Sequence, residues 1–255
     1  GGLKQEDFRI FEDGVQQAIE SFSQEDVPVS MGLLLDLSGS MRGKIERVNR
    51  AAQEFIRASN RQDQVFLIGF NEEVELLQDF TGDIDEITDA LENIVVMGST
   101  AIYDAVYLGV QKAHTGTKPK KAVILITDGV DRESYYSLDE MVSKVQESDV
   151  QVFAVGFLDP VKKKGLFSRW TKSAPEKARD ALSRIADETG GRAFFPEKVE
   201  EIHGIVAEIA AELRSQYSIG YFSSNGARDG SFRRVKIDLP RVKESGYKVR
   251  HRRGY

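Results

Sequence analysis

Apolar residues along the chain follow two patterns, and these divide it into a middle and two ends. In the middle, Val29–Leu35, Gln64–Phe70, Ala122–Thr127 and Val150–Phe157 are short continuous runs rich in Val, Ile and Leu. Runs of this length suit strands buried on both faces of a parallel sheet. Between them the period lengthens to that of a helix. Ile45, Val48, Ala52, Phe55 and Ile56 share one helical face, as do Ile202, Ile205, Val206, Ile209 and Leu213. Tyr103–Ala113, Leu138–Gln146 and Glu176–Glu188 read as further helices, the last closed by Gly190-Gly191. This alternation predicts an α/β fold, a doubly wound, mostly parallel sheet flanked by helices.

At the ends the period drops to two. Phe8–Phe11, Val15–Phe22, Tyr217–Phe222, Phe232–Leu239 and Tyr247–Arg252 alternate roughly, broken by Asp13-Gly14, Asn225-Gly226 and Asp229-Gly230. The expectation is three zones: an N-terminal β segment (1–26), the α/β domain (27–215) and a C-terminal β segment (216–255). Head and tail are expected to pair into one small antiparallel module, with the α/β domain inserted between them. Charge adds a motive. Residues 1–26 carry net -5 and residues 217–255 net +7, against -6 for the whole chain. Exposed opposite charges contribute at most a few tenths of a kcal/mol per pair, so they assist pairing without driving it.

Composition excludes more than it selects. Cysteine is absent, which removes disulfide frameworks, thiolate metal sites and cysteine nucleophiles. The three histidines are widely spaced, and His114 and His203 read as solvated groups near helix ends. The net negative charge argues against a nucleic-acid partner. Apolar runs of five or six residues, such as Met31–Leu35, are far short of the ~18 a membrane span needs. The chain opens Gly1-Gly2 without a leader, as a mature fragment would, and this leaves its compartment undetermined. Oxygen chemistry is what remains.

The oxygens are concentrated at strand ends. The first buried strand runs into Asp36-Leu37-Ser38-Gly39-Ser40, a carboxylate and two hydroxyls at alternate positions. Gly98-Ser99-Thr100 opens a helix, and another strand ends Thr127-Asp128-Gly129. In a parallel sheet these ends share one rim, and Asp36 and Asp128 converge if their strands are neighbours at the switch point. Hard oxygens favour Mg²⁺, Mn²⁺ or Ca²⁺.

This D-x-S-x-S, the lone Thr before Ala101-Ile102-Tyr103-Asp104-Ala105 and the T-D-G strand end resemble the von Willebrand factor A domain, over roughly residues 27–215. The resemblance implies a metal-ion-dependent adhesion site of Asp36, Ser38, Ser40, Thr100 and Asp128. Ser38 and Ser40 would ligate directly, Thr100 directly or through water, and the two aspartates mostly through water. A coordination position then stays open for a protein partner's Asp or Glu carboxylate. Asp104 would support the site or start its helix. The flanks Phe8–Gly14 and Tyr217–Tyr221 resemble the acidobacterial type of VWFA-related proteins, typically exported, which implies an extracytoplasmic setting.

Competing readings fare worse. Gly39–Ile45 lacks the glycine spacing of a P-loop and the Ser or Thr after its Lys, a D-x-D phosphotransfer site would need Asp where Ser38 stands, and no G-x-S-x-G elbow occurs. The leading expectation is a non-enzymatic, divalent-cation-dependent protein-binding module. The alternatives are a Mg²⁺-assisted enzyme or enzyme subunit, and an assembly domain whose site takes a neighbouring chain's carboxylate. The long connection Leu158–Pro175 carries Lys162, Lys163, Lys164, Phe167, Arg169 and the only Trp, Trp170. On the metal rim, Phe167, Arg169 and Trp170 would either anchor a partner or pin the loop to the body.

Overall fold

A computed structural model describes residues 2–24, 26–158, 172–227, 229–240 and 249–255. The chain opens with three short strands, β1 (Arg9–Glu12), β2 (Val15–Gln17) and β3 (Ser21–Ser23). The body follows as β4 (Val29–Asp36), α1 (Ile45–Ala58), β5 (Gln64–Phe70), β6 (Val74–Thr81), α2 (Ile84–Glu92) and α3 (Ile102–His114). It continues with β7 (Lys120–Thr127), α4 (Leu138–Val145), β8 (Val150–Gly156), α5 (Ala174–Thr189), β9 (Ala193–Phe194) and α6 (Ile202–Arg214). Among the described residues the last strands are β10 (Ser218–Gly220) and β11 (Val235–Asp238).

The central sheet has six strands in the order β6-β5-β4-β7-β8-β9. Only β6 runs antiparallel to its neighbour. All eight residues of β4 are buried, as a continuous apolar run at the sheet centre demands. Its side chains alternate between two cores. Leu33 and Leu35 pack with Phe55 of α1, Leu91 of α2 and Ile209 of α6, while Leu34 packs with Val106 of α3, Met141 of α4 and Ile185 of α5. This is the expected doubly wound α/β architecture. Local chemistry fixes the helix ends. Ser137 with Glu140, and Ser173 with Glu176, form capping boxes, and Gly190 ends α5 in the left-handed region at φ +79.

Three expectations change. β6 was not anticipated, because Glu75 and Asp79 interrupt its apolar pattern and an edge strand buries no full face. α5 starts at Ala174, two residues before the expected Glu176, because the Ser173 cap and Pro175 set its first turn. The ends pair in two separate sheets, not one: β11-β1-β2, and β10 with β3. The run Val15–Phe22 breaks at Ala18–Glu20, so its halves serve different ladders. Of the expected strand Tyr247–Arg252, Tyr247 and Lys248 lie outside the described residues, and the final segment contributes an isolated bridge, Arg234 with Gly254.

Charge plays a small part in joining the ends. Arg233 stands 3.9 Å from Asp13 at a partly exposed position, while Arg214 of α6 contacts Asp26 at 3.1 Å and so ties the head to the α/β body. The firmer link is Glu12, 2% exposed, which accepts hydrogen bonds from Ser223 Oγ (2.5 Å), Tyr255 Oη (2.7 Å) and Tyr221 Oη (2.9 Å). Phe8, Phe22 and Tyr217 add an aromatic cluster with centroids 5.2–5.5 Å apart.

Candidate metal centre

β4 and β7 are parallel neighbours, with Leu35 opposite Ile126, so Asp36 and the Thr127-Asp128 step leave the sheet side by side. The chain leaves β4 through α1 toward β5 on one flank, and β7 lies on the other. This is the switch point, where the crevice of an open α/β sheet forms.

Asp36 is fully buried. One carboxylate oxygen accepts the Ser38 backbone N–H at 2.9 Å and the other accepts Thr127 Oγ1 at 2.5 Å. Burial pushes this carboxyl above the ordinary aspartate range and the Asp128 charge adds to the push, while hydrogen bonds from Ser38 and Thr127 oppose it. Ser38 Oγ and Ser40 Oγ lie 3.1 Å apart, and Ser40 Oγ donates to Asp128 Oδ1 at 2.6 Å. The other Asp128 oxygen is ion-paired with Lys44, whose ammonium also lies 3.4 Å from the Ser40 carbonyl.

Thr100 completes the set from the loop that opens α3. Its carbonyl accepts N–H groups from Arg132 (2.9 Å) and Glu133 (3.2 Å), tying this loop to the one after β7. Gly129 passes so close that a Cβ there would lie 3.2 Å from Thr100 Oγ1 and 3.6 Å from Asp36 Oδ2. Gly98, at φ +83, meets Glu72 where a side chain would be, and the Glu72 carboxylate accepts the Ser99 N–H at 2.8 Å. Both glycines are therefore conditions for the shape of the rim.

Ser38, Ser40, Thr100, Gly129 and Arg132 line an open depression of about 390 Å³. Its donors are hydroxyls backed by two carboxylates, and among the described residues no group of three or more His, Cys, Asp or Glu side chains could hold a metal. An all-oxygen set, with one buried carboxylate and hydroxyl residues lining an open depression, suits a hard divalent cation and no soft one.

The five oxygen residues singled out in sequence thus meet at one rim. Asp104 stands apart from the donors. Its carboxylate accepts the N–H groups of Tyr135 (2.8 Å) and Tyr136 (3.1 Å), which holds the loop after β7 against α3. His114 pairs with Asp149 at 3.2 Å and His203 with Glu54 at 2.7 Å, both away from the rim. Phe167, Arg169 and Trp170 lie outside the described residues, as do Lys162, Lys163 and Lys164.

Sequence reasoning missed four participants: Lys44, Glu72, Thr127 and Arg132. Lys44 and Thr127 sit inside the quoted motifs, so their proximity was readable, though not their partners. Glu72 and Arg132 are brought in by loop geometry alone.

An open, doubly wound α/β sheet carrying hydroxyls and carboxylates at its switch point defines a class of ligand-binding α/β domains that present their site on loops. Within that class the chain belongs to the von Willebrand factor type A domain family, whose family model matches residues 31–208. It is similar to the uncharacterized protein sll0103 of Synechocystis sp., 31% identical over 107 residues, 40% of this chain and 26% of that protein. The chain therefore spans about a quarter of that relative's length. Among solved structures it resembles a von Willebrand factor type A protein from Catenulispora acidiphila, with TM-score 0.61 and 16% identity, over 81% of this chain and 50% of that one. It also resembles an aerotolerance-related membrane protein from Bacteroides fragilis, with TM-score 0.56 and 18% identity, over 72% of this chain and 99% of that one. At these identities the structural likeness concerns the fold alone.

Proposed function

We propose that the chain is a non-enzymatic, divalent-cation-dependent protein-binding module whose metal-ion-dependent adhesion site takes an acidic side chain from a partner. The observation that carries this reading is the convergence of Ser38, Ser40 and Thr100 hydroxyls with Asp36 and Asp128 around an open depression. Mg²⁺ is the ion of first choice, with Mn²⁺ or Ca²⁺ as substitutes. A bound ion would supply a Lewis-acidic position for a carboxylate oxygen of the partner protein.

The chain's own residues do the rest. Ser38, Ser40 and Thr100 offer neutral donors, so they hold a cation without cancelling its charge. Asp36 stays behind them, fixed by Thr127 and the Ser38 N–H. Arg132, exposed at the lip of the depression, adds a positive charge where an incoming carboxylate would arrive. The narrower kinship with the acidobacterial type, and with it an extracytoplasmic setting, belongs to the same proposal. It is supported by the flanking sequences Phe8–Gly14 and Tyr217–Tyr221. No helix among the described residues is long and apolar enough to cross a membrane.

Calorimetric titration of Mg²⁺ into EDTA-treated protein tests the reading. Binding by the wild type that Ser40→Ala weakens by roughly 10- to 100-fold is expected. Absence of binding by the wild type removes the mechanism, and Mg²⁺-dependent hydrolysis of a phosphate or ester panel would replace the binding module with an enzyme.

A further inference from the structure

The charge of this molecule is segregated more sharply than its net value suggests. Residues 62–111 contain eleven Asp and Glu and not one Lys or Arg. This stretch builds β6 and α2 at one edge of the sheet. Between them runs a groove of about 990 Å³, floored by Leu37, Leu77 and Ile94 and rimmed by Glu73, Glu75, Glu86 and Asp89. Among the described residues none of these four carboxylates has an ion-pair partner, whereas Asp79 nearby is paired with Lys112. In the groove, Val95 and Met97 are 67% and 55% exposed.

The opposite polarity sits on the small β11-β1-β2 sheet and the final segment. Arg234, Lys236, Arg252 and Arg253 are exposed there, and none has an ion-pair partner among the described residues. The two regions therefore carry opposite charge.

They cannot meet within one molecule. The Arg252 backbone lies against Gly190, at the turn entering β9, the strand at the far edge of the sheet from β6. The five strand spacings between those edges amount to about 24 Å.

We infer that the groove between β6 and α2 is an interaction surface for a second copy of this chain, and that it receives the basic C-terminal sheet of that copy. The partner is chosen by charge complementarity. Four carboxylates around an apolar floor and four cations, none of them ion-paired among the described residues, match in number and sign, and the chain carries both halves. Because the two surfaces differ, the contact is head-to-tail, the kind that builds rings or open chains. It uses neither the metal nor the depression around Ser38, so it stands apart from the proposed function.

Sedimentation velocity in EDTA tests it, since chelation removes any association through a metal-bound carboxylate. In about 20 mM salt the mean sedimentation coefficient should climb with protein concentration, and in about 0.5 M salt it should return to the monomer value, because screening shortens the reach of these charges. Glu73→Lys with Glu86→Lys, and separately Arg234→Glu with Lys236→Glu, should each give monomers at low salt. An equimolar mixture of the two variants should associate again, through the intact basic sheet of one and the intact acidic groove of the other. Near-UV circular dichroism and melting curves matching the wild type separate lost association from lost folding. A wild-type monomer at every concentration in low salt would overturn the inference. So would association that either charge reversal leaves intact, or a mixture that stays monomeric.

Discussion

Asp36 in the metal rim and Glu12 in the terminal sheets are both almost wholly removed from water, and both accept hydrogen bonds from hydroxyls. Their surroundings push them in opposite directions. For Glu12, burial alone would raise the pKa, but Ser223, Tyr255 and Tyr221, with the Arg233 charge, outweigh it and hold the carboxyl below the ordinary glutamate range. For Asp36, burial and the Asp128 charge win over the hydrogen bonds from Ser38 and Thr127. One carboxylate is satisfied by the chain itself; the other is left short of positive charge. A buried anion of the first kind holds structure together, while one of the second kind calls for a cation.

The largest effect should come from breaking the satisfied member. Glu12→Ala leaves three hydroxyls from the C-terminal segment without their acceptor, which should cost about 2–3 kcal/mol in a denaturant melt. Mg²⁺ affinity measured calorimetrically should stay at the wild-type value, because Glu12 belongs to the terminal sheets and none of its partners reaches the rim. A loss of both together would mean that the terminal sheets position the rim.

Asp36→Asn should reverse that outcome. The amide keeps the size of the carboxylate while removing a charge buried against Asp128, so in EDTA the variant should melt at or slightly above the wild-type temperature. Its Mg²⁺ affinity should fall roughly 10- to 100-fold, the usual range for groups that support metal ligands. A variant that binds as well as the wild type would remove Asp36 from the site.

How much of this contrast could be read in the sequence depends on distance along the chain. β4, β5, β7 and β8 were legible because strands buried on both faces must be continuously apolar, and the ends of β4 and β7 carried four of the five oxygen residues with them, Thr100 coming from the loop before α3. β6 was hidden because an edge strand tolerates Glu75 and Asp79. Glu12 was visible only as one of seven anions in the head. Its role depends on partners more than two hundred residues away, at Tyr221, Ser223 and Tyr255. The pairing of head and tail was expected from alternation and turn signals, but charge was a poor guide to its cause, since a buried carboxylate and an aromatic cluster do more than the exposed ion pairs. Lys44 was read only as part of a failed P-loop, since nothing in one dimension points it at Asp128.

A smaller effect tests the Glu12 side by pH. Its folded-state pKa is depressed, so its contribution is complete above the unfolded glutamate pKa and is lost as pH falls through the folded value. The stability difference between wild type and Glu12→Gln should therefore be about 1 kcal/mol near neutrality and shrink toward zero in acid. Melts across that range check it; a difference that does not change with pH would mean the carboxylate charge contributes nothing.

The smallest effect concerns the cation the chain already supplies. Lys44 reaches the Asp128 carboxylate from the position just before α1, the same carboxylate whose other oxygen takes the Ser40 hydroxyl. An ammonium there offsets part of the surplus negative charge of the rim, so a divalent ion must compete with it for Asp128. The Lys44 side chain is about one-third exposed, so water and salt weaken the pair, and a contribution of about 0.5–1 kcal/mol is the reasonable scale. Lys44→Met, which keeps the length and loses the charge, should tighten Mg²⁺ binding about two- to fivefold. The gain should shrink as ionic strength rises. Weaker binding by Lys44→Met would show instead that the ammonium orients Asp128 toward the ion, and the shortage of positive charge at Asp36 would then be a property of that carboxylate alone and not of the whole rim.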